Sequence, residues 1–296
     1  MRRAVAALAV RVDPPTHLAL EVKGRTVALL RGGAGDPLLY LHGVCADLWS
    51  SFPGTTWTPF LARLAAAFDV VAPALPGYDV SGGLESFDEV EDYVFHLEDL
   101  LDELVLGPVH VVGHSLGGWL AAELALRRPA MVRRLVLVDP LGLHVPGVAV
   151  PPFFAAVAPR GLGGFAEPRR LLFADPEGDA ALAALPDGME REQQLRWFGG
   201  LAGAARLGWR APQFQSHKLA RRLDRISVPA LVVRGEQDLL VPEEHARAWV
   251  AGLPSATLVE VPDAGHCLPA EWPEVVAAEV VAFLAGTGPG DPAGED

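Results

Sequence analysis

"VHVVGHSLGGWLAAELA" (residues 109–125) sets Gly113, His114, Ser115, Gly117 and Gly118 between two apolar runs of different character. The first run is β-branched, as in a buried strand, and the second is rich in the leucine and alanine of a helix. Between them the chain reads G-x-S-x-G. A serine there sits at the tip of a very tight strand-to-helix turn, in a strained conformation, with small residues needed two positions to either side. The helix that follows points its unsatisfied N–H groups and positive dipole end at the place where an oxyanion would form. A phosphate loop would need Lys-Ser/Thr after its last glycine, where Trp119 and Leu120 stand, and a dinucleotide fingerprint would need glycine in place of Ser115. On these letters alone, nucleophile and glycine-rich connector are both open.

The surroundings supply the frame. "HLALEVKGRTVALLRG" reads as two strands about a turn at Lys23-Gly24 and "DPLLYLHG" as a third. "FDVVAPALPG", "GPVHVVGHS", "VRRLVLVDP", "VPALVVRGEQD" and "ATLVEVPDAGH" are five more apolar runs, each stopped by a polar or Gly/Pro cluster. Runs apolar on both faces predict buried parallel strands covered by helices. "SFDEVEDYVFHLEDLLDELV" has Ser86 as N-cap with Glu89 as its capping-box partner, and Leu97, Leu100, Leu101 and Leu104 form its apolar stripe. Segments 116–128, 243–252 and 271–285 have the same helical period. The alternation predicts an α/β sheet with right-handed crossovers. Residues 141–225 break it, with helical pieces, many glycines and prolines and no convincing strand. They are expected to form a helical cap over the strand ends. Core segments are then 1–140 and 226–286, with an acidic, Gly/Pro-rich and disordered tail at 287–296.

A serine needs a base and an orienting acid. His266, in "VPDAGHC" beyond the last strand run, is the base candidate. Asp238, in "VVRGEQDLLVP", and Asp139, in "LVLVDP", both stand at the carboxyl end of a strand, where open α/β sheets place their sites. Asp238 is preferred because it gives the chain order Ser, Asp, His from a polar loop; Asp139 is expected to brace its own turn before Pro140. The oxyanion donors are the N–H of Leu116 and, from the turn in "YLHGVCADLW", that of Val44, with Gly43 allowing close backbone approach. His42, Gly43, Trp49, His114 and Trp119 are the candidate substrate-side residues, although His42 bracing the oxyanion turn and His114 packing at the strand end are the simpler readings. Phe153, Phe154, Trp197, Phe198 and Trp209 are candidates for an apolar roof. No histidine spacing fits a metal.

Taken together these stretches resemble the α/β-hydrolase superfamily over nearly the whole chain. "LHGVCAD" resembles its oxyanion turn, "PALPGYDVSG" its D-x-P-G-x-G-x-S segment, "GHSLGG" its elbow, "GEQDLLVP" its acid loop and "GHCLPAEWPE" its histidine loop. The resemblance implies a mostly parallel eight-stranded sheet flanked by helices, a lid between strands six and seven, and hydrolysis without a cofactor. Ala74 and Asp79 depart from the superfamily's usual aspartate and glycine. A serine nucleophile argues against the haloalkane dehalogenase and epoxide hydrolase branches. The carbon–carbon bond hydrolases of aromatic breakdown match in length and lid placement but usually carry tryptophan where Cys267 stands.

The expected activity is therefore a serine hydrolase acting on a small-molecule ester or related acyl compound. Carbon–carbon bond hydrolysis, lactone hydrolysis and perhydrolysis would use the same residues. The alternative from another class is a non-catalytic binding protein that keeps the fold for its pocket. A formal net charge of −13 disfavours nucleic acid and anionic membrane as partners. Two cysteines without metal or disulfide spacing point to a reducing, cytoplasmic setting. The apolar start of "MRRAVAALAVRVDPP" is short and broken by Arg11, which disfavours a signal peptide, and no run is long enough for a membrane span. The letters do not decide the oligomeric state.

Overall fold

The computed structural model describes residues 14–44, 57–151, 153–154, 165–188, 190–209 and 213–287. Cys45, Trp49, the start of the chain, the tail from 288 and the side chain of Trp197 lie outside the described residues.

Eight strands form one sheet: β1 (Thr16–Val22), β2 (Arg25–Gly32), β3 (Asp36–Leu41), β4 (Phe68–Pro73), β5 (Val109–His114), β6 (Val132–Val138), β9 (Ala230–Gly235) and β10 (Ala256–Val261). Their order across the sheet is β1-β2-β4-β3-β5-β6-β9-β10. β2 pairs antiparallel with β1 and β4, and every pair from β4 to β10 is parallel. All eight strand runs read from the letters are present.

The central parallel strands are mostly apolar because both faces are covered. Leu39, Leu41, Val109, Val111, Leu135, Leu137 and Val232 point into one core, under α2 (Val90–Glu103), α3 (Leu116–Arg127) and α7 (Glu243–Gly252). Their alternate neighbours Leu38, Tyr40, Val112, Val136, Val138, Leu231 and Val233 point into a second core. That core lies under α1 (Pro59–Ala65) and α9 (Pro273–Leu284).

Three details differ from the reading of the letters. Ser86 does not cap α2: its hydroxyl donates to the Gly83 carbonyl within a short 3-10 turn. The helix opens three residues later at Glu89, where the Asp92 carboxylate accepts the N–H groups of Asp88 (2.9 Å) and Glu89 (2.8 Å). The helix expected at 271–285 is α9 (Pro273–Leu284), and an additional short turn, α8 (Leu268–Glu271), precedes it, separated by Trp272 at φ −129°, ψ 53°. A residue before proline is pushed out of the helical region, and Pro273 follows. Between β6 and β9 lie α4 (Ala166–Leu172), α5 (Asp179–Ala184) and α6 (Arg191–Gly208). Two short parallel strands accompany them, β7 (Gly142–Leu143) and β8 (Gln215–Ser216), where no strand was expected. Among the described residues no helix is long and apolar enough to cross a membrane.

His96 on α2 is buried against Phe87 with neither ring nitrogen hydrogen-bonded. Burial, with Arg25 nearby, lowers its pKa from 6.5 to about 4. The folded chain therefore holds His96 neutral while the unfolded chain protonates it below pH 6.5. Stability is fully present above that pH and is lost as pH falls toward 4, by on the order of 3 kcal/mol from this group. His96→Leu is expected to flatten this part of the acid limb, raising Tm at pH 5 more than at pH 8. An equal shift at both pH values would show that His96 titrates alike in both states.

Candidate active site

β5 delivers Ser115 and α3 begins one residue later, so strand and helix nearly touch. A Cβ on Gly117 would lie 2.0 Å from the Leu41 carbonyl oxygen, and one on Gly113 would lie 2.3 Å from that of Gly117. No side chain fits at either position, which explains the glycines of the opening stretch. Ser115 adopts φ +54°, ψ −115°, a conformation rare outside glycine. It is held there because its N–H donates to Val138 (2.9 Å) while its carbonyl accepts from Gly118, Trp119 and Leu141.

His266 and Asp238 come from the loops after β10 and β9. His266 Nε2 lies 2.8 Å from Ser115 Oγ, and Nδ1 lies 2.8 Å from Asp238 Oδ2. The other carboxylate oxygen, Oδ1, accepts the N–H groups of Leu240 (2.7 Å) and Val241 (2.9 Å). An aspartate filled with donors in this way acts as acceptor only, so the imidazole carries its proton on Nδ1 and offers Nε2 to the serine. All three side chains are buried. Asp139 makes no hydrogen bond to the imidazole. Its Oδ1 accepts the N–H of Gly235 on β9 at 3.0 Å, so it ties two strand ends together instead of bracing its own turn.

The other candidates surround this line. A Cβ on Gly43 would meet His114 Nδ1 at 3.0 Å and Ser115 Cβ at 3.1 Å, so its absence lets the 43–44 backbone lie against the serine. Leu116 opens α3, and the first N–H groups of a helix have no intrahelical acceptor. His42 Nε2 accepts the N–H of Leu75 (3.0 Å), which leaves its proton on Nδ1, 2.7 Å from the Gly43 carbonyl oxygen. His114 Nε2 donates to the carbonyl of His266 at 2.8 Å. Both rings are buried and set backbone. Trp119 packs on Gly142, donates to Glu123 (3.2 Å), and lines a surface cavity of about 270 Å³ that no triad candidate lines. Phe154 stacks on Phe214, Phe153 meets both edge-on and Trp209 lies tilted against Phe154; Trp209 and Phe198 are exposed.

Two supporting residues escaped the reading of the letters. Tyr78 donates its hydroxyl to the Val44 carbonyl (3.2 Å) and packs edge-on against His42. Glu271 accepts the N–H of Gly265 with one oxygen and that of Ala174 with the other, each at 2.7 Å. Burial raises its pKa above the usual glutamate value even though these backbone donors pull it down. Its place in "GHCLPAEWPE" was visible, but nothing in the letters named Ala174 as a partner 97 residues away. In Glu271→Gln an amide NH₂ faces a backbone N–H, and the expected loss is about 1–3 kcal/mol in denaturant unfolding, the cost of one unsatisfied buried donor. An unchanged midpoint would count against the clamp.

Residues 38–279 match the model of a family described as the alpha/beta hydrolase family. The chain is 32% identical over 240 residues to the dihydrolipoyllysine-residue acetyltransferase component of the acetoin cleaving system of Cupriavidus necator, covering 80% of this chain and 60% of that protein. It is 29% identical over 266 residues to the 2-hydroxymuconate semialdehyde hydrolase of a Pseudomonas species, covering 86% and 87%. Among solved structures, 2-hydroxy-6-oxo-6-phenylhexa-2,4-dienoate hydrolase from a Rhodococcus species superposes with a TM-score of 0.73 at 19% identity, over 93% of this chain and 100% of that one. The chain belongs to the alpha/beta hydrolase family, and it is a hydrolase.

Proposed function

We propose that this hydrolase is a serine enzyme that cleaves an ester or related small acyl compound through an acyl-enzyme. The observation that carries the reading is the continuous hydrogen-bonded line from Asp238 through His266 to Ser115 Oγ. Ser115 attacks the substrate carbonyl while His266 Nε2 takes its proton. Asp238 holds the resulting imidazolium by its Nδ1–H. The N–H groups of Leu116 and Val44 receive the negative oxygen of the tetrahedral intermediate, with the α3 dipole behind the first. His266 then protonates the leaving group, and water, deprotonated by the same nitrogen, releases the acid.

Residues 141–225 act in this reading as a cap that bounds the acyl pocket, with the buried rings of Phe153, Phe154 and Phe214 as its apolar interior. The net charge of −13 fits a small-molecule substrate better than nucleic acid. Two cysteines without disulfide or metal spacing fit a cytoplasmic setting. A second reading, carbon–carbon bond cleavage, draws on the similarity to 2-hydroxymuconate semialdehyde hydrolase over 86% of this chain. Both readings are tested by fluorophosphonate labelling followed by a panel of p-nitrophenyl esters of rising chain length, a lactone and a vinylogous diketone. Labelling with preferential ester turnover is expected. Preferential diketone turnover would move the assignment to the second reading, and failure of the native protein to label would overturn both.

A further inference from the structure

Two buried carboxyl groups lie beside the His266 imidazole, and the relay above uses only one. One carboxylate oxygen each from Asp139 and Asp238 and a ring nitrogen of His266 all lie within 4.8 Å of one another. Their surroundings are unequal. Asp238 receives three N–H donors, from Leu240, Val241 and His266. Asp139 receives one, from Gly235, and its second oxygen is fully enclosed with no hydrogen-bond donor among the described residues. Asp139 is 1% exposed and held at φ +41°, because its own N–H is pinned to the Val233 carbonyl. It cannot turn toward water without breaking the junction of β6 with β9.

We propose that Asp139 is a positioning residue that keeps its proton at neutral pH and donates it to the Asp238 carboxylate, so that the pair presents a single negative charge to His266. Two adjacent buried carboxylates cannot both ionise cheaply, and the charge settles where donors are most numerous. The bare oxygen of Asp139 is costly as an anion, but as O–H it becomes a donor with Asp238 as its acceptor. Burial and the charge of Asp238 push the Asp139 carboxyl well above the ordinary range; the Gly235 N–H and Arg234 pull the other way and do not prevail.

The remaining charged or titratable neighbours leave the pair as it is. Arg234 on β9 is engaged by Glu260 and the Glu236 carbonyl, His245 on α7 is pushed toward neutrality by burial, and His114 on β5 spends Nε2 on the His266 backbone. No covalent step is involved. When His266 takes the serine proton, the imidazolium meets one negative charge, not two. Above the Asp139 pKa a second charge appears beside the ring and makes it more basic.

The proposal deepens the triad reading, and its first test does not depend on turnover. In the free enzyme carrying ¹³C-labelled aspartate, infrared spectra at pH 7 are expected to contain the carbonyl stretch of a protonated carboxyl that shifts on deuteration and vanishes in Asp139→Asn. No such band in the wild type, or one that survives in Asp139→Asn, would overturn the proposal whether or not Ser115 labels. If the variant fails to fold, absence of the band from the wild type still overturns the proposal. The second readout is the pH profile of kcat/KM. Asp139→Asn keeps a donor in place and is expected to stay within about threefold of wild type at pH 7, while losing the alkaline step caused by Asp139 ionisation. Asp139→Leu removes the donor and is expected to move the His266 limb upward by about half a pH unit or more, at nearly unchanged KM. Identical profiles for the Asn and Leu variants would reduce Asp139 to a structural strut.

Discussion

Ser115→Ala is expected to abolish fluorophosphonate labelling and to lower kcat by about 10⁶-fold, the loss found when a triad nucleophile is removed elsewhere. The substitution deletes one oxygen and leaves the elbow standing. The backbone bonds that hold residue 115 at φ +54° run through its N–H and carbonyl, not its hydroxyl. Alanine accepts that conformation no better than serine does, so unfolding should be little changed and the effect falls on chemistry. Any residual rate, of order 10³–10⁴ over water, would come from the oxyanion donors and substrate binding alone. Labelling of Ser115→Ala at the wild-type rate would place the nucleophile elsewhere and end the serine-hydrolase reading.

Asp238→Asn is expected to cost about 10⁴-fold in kcat with little change in KM, as the corresponding change does in other Ser-His-Asp sites. The local hydrogen bonds give the reason. Oδ1 accepts the N–H groups of Leu240 and Val241, so the asparagine must keep its oxygen on that side and turn its NH₂ toward His266. A donor facing Nδ1 moves the imidazole proton to Nε2, where it blocks the very nitrogen that must accept the serine proton. Asp139→Asn is the control, because its Oδ1 serves Gly235 and not the imidazole. If Asp139→Asn rather than Asp238→Asn showed the 10⁴-fold loss, the acid role would pass to Asp139.

The sheet was readable because parallel strands covered on both faces leave Val/Leu-rich runs, and all of those runs became strands. Ser115, His266 and Asp238 stood out as candidates because each is framed by small or polar residues directly after an apolar run, and the fold brings the three side chains within hydrogen-bond distance. What escaped were contacts made at a distance. The preference for Asp238 over Asp139 rested on its polar loop after a strand in the order Ser, Asp, His, whereas the three donors that set the two carboxyls apart come from backbone and ring groups that only folding assembles. The cap of α2 was misplaced by three residues because Ser86 found a nearer acceptor in Gly83. His42 and Tyr78 stand 36 residues apart, and no local pattern announces that their rings meet edge-on at 4.6 Å to steady Val44.

The bridge made by Glu271 bears on how relatives in this family can be recombined. Leu172 and Ala174 are bonded to the histidine loop through the Cys267 N–H (2.8 Å) and Glu271 (2.7 Å), and Gly265 is bare because a Cβ there would lie 2.6 Å from the Ala174 nitrogen. A chimaera that grafts a foreign segment into 141–225 therefore also replaces the surface against which His266 is aligned. Grafts that retain residues 172–174 should alter substrate preference alone. Grafts that replace them should require a matching exchange of residues 265–271, so this junction sets the module boundary for swapping.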